Sequence, residues 1–514
     1  MALAPMVCAF FLAWRLSQGE LGFPLDDAWI HQTYARNLAR YGQWAYVPGH
    51  LSAGSTSPLW TLLIAPCYLL GIDFKAWTFA LGMLFFTGTV WAAWRLSLVL
   101  SEGNYGVALA AAFFCALEWH LGWAALSGME TIPFTFLSLL LLIEHTSARG
   151  FLPAFTPVPQ GLGMGILAGL LCLTRPEGLL LVGLIILDAI IKCASLKARK
   201  TSPHPPKRKL TSLLWLSVGL TLCLGGYVAF NLKASGHPFP NTFYAKAAEY
   251  RELVERWPLW VRLGRVTLPT LVGAQALLVP GFVMAAFKEI RKALGERFRK
   301  GVPVPLLWWG MLLLAYAIRL PVAYQHGRYT MPVIPIFVVY GFAGMSQWLE
   351  RGIRKRQGQP AKTEPVLQRV LLKVWAISTL ILLLAFTLIG ARAYSTDVGI
   401  IQCEMVQTAF WLRENTPPDA LIAVHDIGAI GYYAQRPLLD LAGLVTPEVI
   451  PFIRDEGRLR EFILAKGAQY LVTFPSWYPH LVDDPIFMPL YSTGCDLTIR
   501  AGGDNMAVYK VRGV

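Results

Sequence analysis

The stretch Val370–Arg392, VLLKVWAISTLILLLAFTLIGAR, holds no charge between Lys373 and Arg392. Eighteen uncharged, mostly apolar residues approach the length a helix needs to cross about 30 Å of hydrocarbon. Comparable stretches recur upstream, so a single anchor does not describe the chain. Across 514 residues 55% are apolar and 15% charged, and the mean hydropathy is +0.48. That balance excludes an ordinary soluble globular protein. It points to a polytopic α-helical membrane protein.

Charge decides the orientation. The net charge of +14 invites a nucleic-acid reading, but such binders carry basic residues on a solvated face. Here they cluster between apolar stretches. Lys192–Lys209 holds seven basic residues and no acid, Lys288–Lys300 six against two, and Arg351–Lys373 seven against one. By the positive-inside rule these are cytoplasmic loops, and no nucleic-acid partner is expected.

Counting from those loops predicts spans near 212–232, 267–287, 303–320, 329–349 and 370–392, which leaves 395–514 outside. That tail carries nine basic and fourteen acidic residues. Upstream, 178–191 with 161–174 and 131–145 with 105–117 put Arg175-Pro176-Glu177-Gly178 and Glu130 at outer tips. Parity then requires that only one of the pair 57–70 and 76–94 crosses. Its shortness, with Pro58 and Pro66, makes the first of these the one that does not cross, a membrane-embedded or interfacial segment. With Met1–Leu16 as a retained first span, the expected count is about eleven. Residues 1–394 form the transmembrane domain, 17–75 its first external loop, and 395–514 an extracytoplasmic α/β domain. In the tail the patterning predicts a helix over 404–413 ending before Pro417-Pro418, strands at 421–424, 438–441, 470–473 and 506–511, and a helix over 458–466. The basic, Pro-rich stretch 201–209 reads as a cytoplasmic loop. Of eight cysteines, only Cys403 and Cys495 fall in the tail, where a disulfide is one of the open alternatives.

The chemistry concentrates at Pro24-Leu25-Asp26-Asp27-Ala28-Trp29-Ile30-His31. Two adjacent carboxylates at a membrane boundary are costly. They can cap the helix predicted over 29–41, and they can act on a substrate; the readings are compatible. His31 lies one turn after Asp27 and is read as a hydrogen-bond partner, with no metal and no cofactor assigned. Arg36 is a candidate to orient the pair. Glu130 and Glu177 are helix caps or supporting acids. Asp426 precedes Gly428-Ala429-Ile430-Gly431, which lacks the spacing of a dinucleotide fingerprint.

These residues resemble the membrane glycosyltransferases of the C superfamily, and more narrowly the branch containing the mycobacterial terminal arabinofuranosyltransferases; protein O-mannosyltransferases are more distant. The resemblance rests on Asp26-Asp27-Ala28-Trp29-Ile30, Tyr34-Ala35-Arg36-Asn37-Leu38, Thr56-Ser57-Pro58-Leu59-Trp60, Ser127-Gly128-Met129-Glu130-Thr131, Thr174-Arg175-Pro176-Glu177-Gly178, Pro240-Asn241-Thr242-Phe243-Tyr244-Ala245-Lys246 and Asp426-Ile427-Gly428-Ala429-Ile430-Gly431-Tyr432-Tyr433. They run in order along nearly the whole chain. The resemblance implies a polyprenyl-phosphate sugar as donor, an envelope glycan, lipid or protein as acceptor, and an inverting transfer of a pentose or hexose on the outer face of the plasma membrane. A sugar phosphate already carries a good leaving group, so one carboxylate base suffices. The family's pattern makes Asp26 that base, with Asp27 beside it. Lys246, Arg328 and Arg175 are the candidates to meet the departing phosphate, with Tyr244 and Tyr329 near the sugar and Asn241 in support. The competing class is a lipid-linked saccharide flippase or other transporter, disfavoured because the acidic motifs sit at one surface and no inverted repeat is evident.

Overall fold

The computed structural model describes residues 1–147, 160–197, 206–299, 301–354 and 366–513. Among these, five helices are long and apolar enough to cross a membrane: Phe74–Leu100, Gly178–Ser195, Thr211–Ser235, Tyr324–Gln347 and Val370–Asn415. Two bent pairs raise the number to seven if each is one span: Tyr105–Leu117 with Trp119–Ala125, and Leu259–Leu271 with Ala274–Gly295. Leu3–Leu16, Thr131–Thr146, Gln160–Thr174 and Val304–Arg319 are apolar but shorter. At 1.5 Å per residue they reach only about 21–24 Å. Apart from 267–287, every segment expected to span is helical over most of its length, while the expected count of about eleven exceeds what length and composition support. Pro58–Ile64 and Pro66–Leu70 are two short helices, as the prolines imply. Of the stretch expected as a loop, 201–205 lie outside the described residues, and Pro206–Lys209 instead open the helix Pro206–Ser235.

Two expectations fail for local reasons. The segment 267–287 is not one straight helix: 3₁₀ turns at Leu268–Leu271 and Ala274–Leu278 interrupt it, and the axis bends by 101°. Pro269 and Pro280 remove helix donors there, and Gly273 adopts φ +117°. Conversely, the last span and the helix expected over 404–413 are continuous. Val366–Ile401 passes through a π-helical turn at Gln402–Val406 into Gln407–Asn415, since nothing between Ala391 and Pro417 breaks the ladder. The boundary placed at 394/395 thus falls inside a rigid helix.

Small residues set the closest packing. Gly161, Gly165 and Gly169, one turn apart, face Ser212, Leu216 and Cys223, where any side chain would collide. Close backbone approach of this kind is how apolar helices associate without a hydrophobic driving force. The outer flank of Thr211–Ser235 leaves apolar side chains such as Leu222 exposed, as a lipid-facing surface requires.

The tail forms a five-stranded sheet in the order β2-β1-β3-β5-β4, built from β1 (Ile422–Val424), β2 (Leu438–Asp440), β3 (Tyr470–Thr473), β4 (Phe487–Ser492) and β5 (Ala507–Val511). The first three strands are parallel, while β5 is antiparallel to both β3 and β4. Four strands fall where the apolar runs predict them; β4 was not predicted. One face buries Leu439, Leu459, Ile463, Leu471 and Phe487. Val424, Ile427 and Ile430 instead join the core of the membrane helices, which fixes the tail upon them. A Cys403–Cys495 disulfide ties the π turn to the segment after β4, closing 92 residues of chain. By loop-closure arguments, Cys495→Ser is expected to cost about 4–5 kcal/mol, read as an earlier unfolding transition that reductant no longer lowers.

Candidate active site

Asp26 and Asp27 open the helix Asp27–Tyr41, which Gly42 ends in the left-handed conformation at φ 65°. Neither acid makes a side-chain cap to its own helix, so the capping reading in its simple form is wrong. Adjacent helical positions point about 100° apart, and the two carboxylates accordingly meet different partners. Asp26 reaches across to the tail, accepting the amides of Gly428 (2.7 Å) and Ala429 (2.8 Å). It caps the tail helix Gly428–Tyr433, and any side chain at position 428 would strike it. Burial, aided by the neighbouring Asp27 charge, pushes the Asp26 carboxyl up to about 7 against the pull of those two amides.

Asp27 faces the cations. Lys246 Nζ donates to its Oδ2 at 3.2 Å, and Arg328 Nη2 donates to the same oxygen. The Tyr329 hydroxyl accepts from both, each at 2.9 Å. Burial opposes ionisation of Asp27, but the Lys246 and Arg328 charges prevail and hold its carboxyl far below the usual range. The same pairing outweighs burial at Lys246 and holds its ammonium above the usual lysine range. Arg328 is 2% exposed, and its Nε and Nη1 have no hydrogen-bond partner among the described residues.

A strained turn delivers Arg328. Gln325 and His326 sit at φ 54° and 57°, a conformation that costs non-glycine residues about 1–3 kcal/mol each. His326 Nε2 pairs with Asp397 Oδ2 at 2.8 Å, and Trp123 Nε1 donates to that same oxygen at 2.8 Å. The His326 ring meets Trp119 and Trp123 edge-on. Asp397 belongs to the long helix that enters the tail, so the turn is anchored to the element that also carries the sheet.

Arg175 lies nearby but is already engaged. Its Nη1 donates to Glu130 at 2.8 Å, its Nη2 to Tyr316 at 2.8 Å and to Glu177 at 3.3 Å, and the Tyr316 hydroxyl donates to Glu177. Glu130, a cap in expectation, makes no capping bond. Although burial resists, His31 and Arg175 hold its carboxyl down at about 2. His31 turns away from Asp27, with Nε2 3.4 Å from Glu130 and Nδ1 3.4 Å from Thr61.

Three expected residues lie elsewhere. Arg36, nine positions after Asp27 and so about 13 Å along the helix, donates to the Tyr432 carbonyl at 2.9 Å and covers its ring; it docks the tail rather than orienting the acids. Asn241 donates to the Leu444 carbonyl at 3.2 Å and is buried. Tyr244 packs against His237 and Phe243, on a different face of its helix from Lys246.

Asp27, Lys246 and Arg328 form a wall shared by two cavities. One, of about 970 Å³, has a mainly apolar lining that includes Met129, Pro176, Phe243, Ala315 and Leu320, with Glu130, Arg175, Glu177 and Arg319 also on its wall. The other, of about 1120 Å³, lies between the helices and the tail and is lined by Asp26, Glu249, Tyr324, His425, Asp426, Arg454 and Trp477. Arg319, Glu249, Arg454 and Trp477 were not among the sequence candidates, whereas Met129, Pro176, Phe243 and Asp426 lay inside quoted motifs. The arrangement offers a carboxylate and two cations at one point, with an apolar approach on one side and a polar one on the other.

A family model described as a domain of unknown function, DUF8728, matches residues 391–509. No curated protein matches the chain. Among solved structures, ArnT from Cupriavidus metallidurans in the apo state is similar at 16% identity and TM-score 0.53, over 98% of this chain and 97% of that one. The same protein bound to undecaprenyl phosphate gives 15% identity and 0.54, over 99% and 96%. The Archaeoglobus fulgidus oligosaccharyltransferase in the apo form gives 12% and 0.57, over 92% of this chain and 69% of that one. These likenesses extend through nearly the whole chain and show its fold.

Proposed function

We propose that the chain is an inverting glycosyltransferase that moves a sugar from a polyprenyl-phosphate donor to an envelope acceptor, with Asp27 as the base. The observation that carries this reading is the position of Asp27, paired with Lys246 and Arg328 where an apolar cavity meets a polar one. The lipid-linked donor enters from the apolar side and sets its phosphate against Lys246 and the unpartnered edge of Arg328. The acceptor hydroxyl approaches from the polar side. As its oxygen bonds to the anomeric carbon, Asp27 takes its proton, and the bond from that carbon to the phosphate oxygen breaks. In the free protein Asp27 is a weak base, because both cations hold it ionised. A bound phosphate competes for those cations and raises its basicity, so donor must precede acceptor. Arg175, balanced by two carboxylates, braces the wall. Asp26 holds the tail in place.

ArnT bound to undecaprenyl phosphate supports a lipid-linked donor, the motif order makes a pentose such as arabinofuranose the first to test, and a hexose the second. The disulfide supports an oxidising, extracytoplasmic setting for the tail. The test is transfer of radiolabelled sugar from a panel of polyprenyl-phosphate donors to envelope acceptors by the purified protein. Movement of intact lipid-linked sugar across vesicles without transfer would favour the flippase reading instead.

The strained turn yields one more expectation. His326→Ala is expected to lower transfer about tenfold while raising the KM for donor, because Arg328 loses its register. Asp397→Ala should do the same, and the double variant should cost little more than either alone. Additive losses would separate the two residues.

A further inference from the structure

The helix Phe74–Leu100 begins against Trp29 and Tyr432, beside the site, and at 1.5 Å per residue it ends about 39 Å away. At that far end a groove of about 1410 Å³ opens between the turn 100–104, the helix Val279–Gly295 and the helix Ile334–Arg354. It shares no residue with the two cavities at the site. We propose that this groove binds the headgroup of a phospholipid that carries both a phosphate and a primary ammonium, as phosphatidylethanolamine does. The proposal is independent of the transferase reading.

Charge selects that class. The groove is lined by two cations, Lys288 and Lys292, and by two carboxylates, Glu102 and Glu289. Both lysines act on Glu289 through space, but among the described residues neither forms an ion pair with it or with Glu102. Lys288 instead donates to Gln347 Oε1 at 2.9 Å, which holds its ammonium at the groove with donors to spare. Tyr340 is 2% exposed and brings its hydroxyl to the floor beside Glu289, where it makes no hydrogen bond of ordinary geometry among the described residues. A buried hydroxyl left without a partner is costly. A purely anionic headgroup would satisfy the lysines and face two carboxylates, and a quaternary ammonium offers those carboxylates no N–H. A primary ammonium supplies three donors, while the phosphate beside it accepts from both lysines and from Tyr340.

Position selects a lipid over a free phosphoamine. The groove lies at the end of the helices that carries the basic stretch Lys288–Lys300, and basic pockets between membrane helices at such ends hold lipid headgroups. The adjoining helices expose Val283, Phe287 and Ile290 on Val279–Gly295, and Tyr105 and Leu109 on Tyr105–Leu117. These side chains give acyl chains an apolar surface on which to lie.

The test is equilibrium binding to the full chain in lipid-free detergent, using phosphatidylethanolamine, phosphatidylcholine and phosphatidylglycerol with the same fluorescent acyl chain, and glycerophosphoethanolamine as a competitor without chains. Phosphatidylethanolamine should bind about five- to tenfold more tightly than either other lipid, the scale of one hydrogen bond to a charged group. Replacing both lysines, Lys288→Ala with Lys292→Ala, should weaken it at least fivefold. Glu289→Gln should abolish the preference for phosphatidylethanolamine over phosphatidylglycerol. Arg500→Ala, which removes an exposed charge from the tail, is the control, and an unchanged unfolding temperature shows that each variant is folded. The proposal is overturned if phosphatidylglycerol or phosphatidylcholine binds as tightly as phosphatidylethanolamine, or if the folded lysine and Glu289 variants bind as the wild type does. Competition by glycerophosphoethanolamine at the concentrations where the lipid itself binds would overturn the assignment to a lipid.

Discussion

Asp27→Asn is expected to reduce sugar transfer by about a thousandfold, within the range of 10²–10⁴ that a positioned general base contributes. The amide keeps the size of the side chain but cannot take the acceptor's proton. It also ceases to balance Lys246 and Arg328, so donor phosphate should bind no worse, and even more tightly. The signature is therefore a collapse of kcat with the KM for donor unchanged or lowered. Asp26→Asn provides the contrast. Its oxygen can still accept one of the two amides from Gly428 and Ala429, so a loss nearer tenfold is expected, with weaker docking of the tail read as faster proteolysis. The reverse ranking of the two variants would return the role of base to Asp26.

That ranking marks the limit of what the sequence can say. The motif order brought both acids into view, and positive-inside loops put Lys246, Arg328 and Arg175 on the same side as the pair. Helix positions followed closely from apolar length, down to the end before Pro417. What one dimension does not carry is the partner of each acid. Asp26 meets an amide 402 residues away, and Arg175 meets carboxylates on two separate turns. Arg36 looked suited to the acids because it shares their helix, yet rise per residue puts it beyond reach. β4 escaped notice because an edge strand with Pro489 and mostly uncovered side chains shows no alternation. The polar cavity was equally hidden: Glu249 and Trp477 read as ordinary, and Asp426 as part of a motif, until the tail docks.

Lys246→Met is expected to lower kcat/KM by about 10²–10³-fold, the loss typical of removing one group that stabilises developing charge. Its second effect is more diagnostic. Lys246 is the largest of the influences holding the Asp27 carboxyl down, with Arg328 next, both against burial. A depressed carboxyl stays ionised throughout the ordinary range, so the wild-type rate should have no acid limb from Asp27 until well below neutral pH. Removing Lys246 leaves burial opposed by Arg328 alone, the Asp27 pKa rises, and the acid limb of the rate profile moves to higher pH. A lysine that merely bound donor phosphate would raise KM and leave that limb in place. Combining Lys246→Met with Asp27→Asn separates the possibilities further: if the lysine acts partly through the base, the double variant loses less than the product of the two single losses.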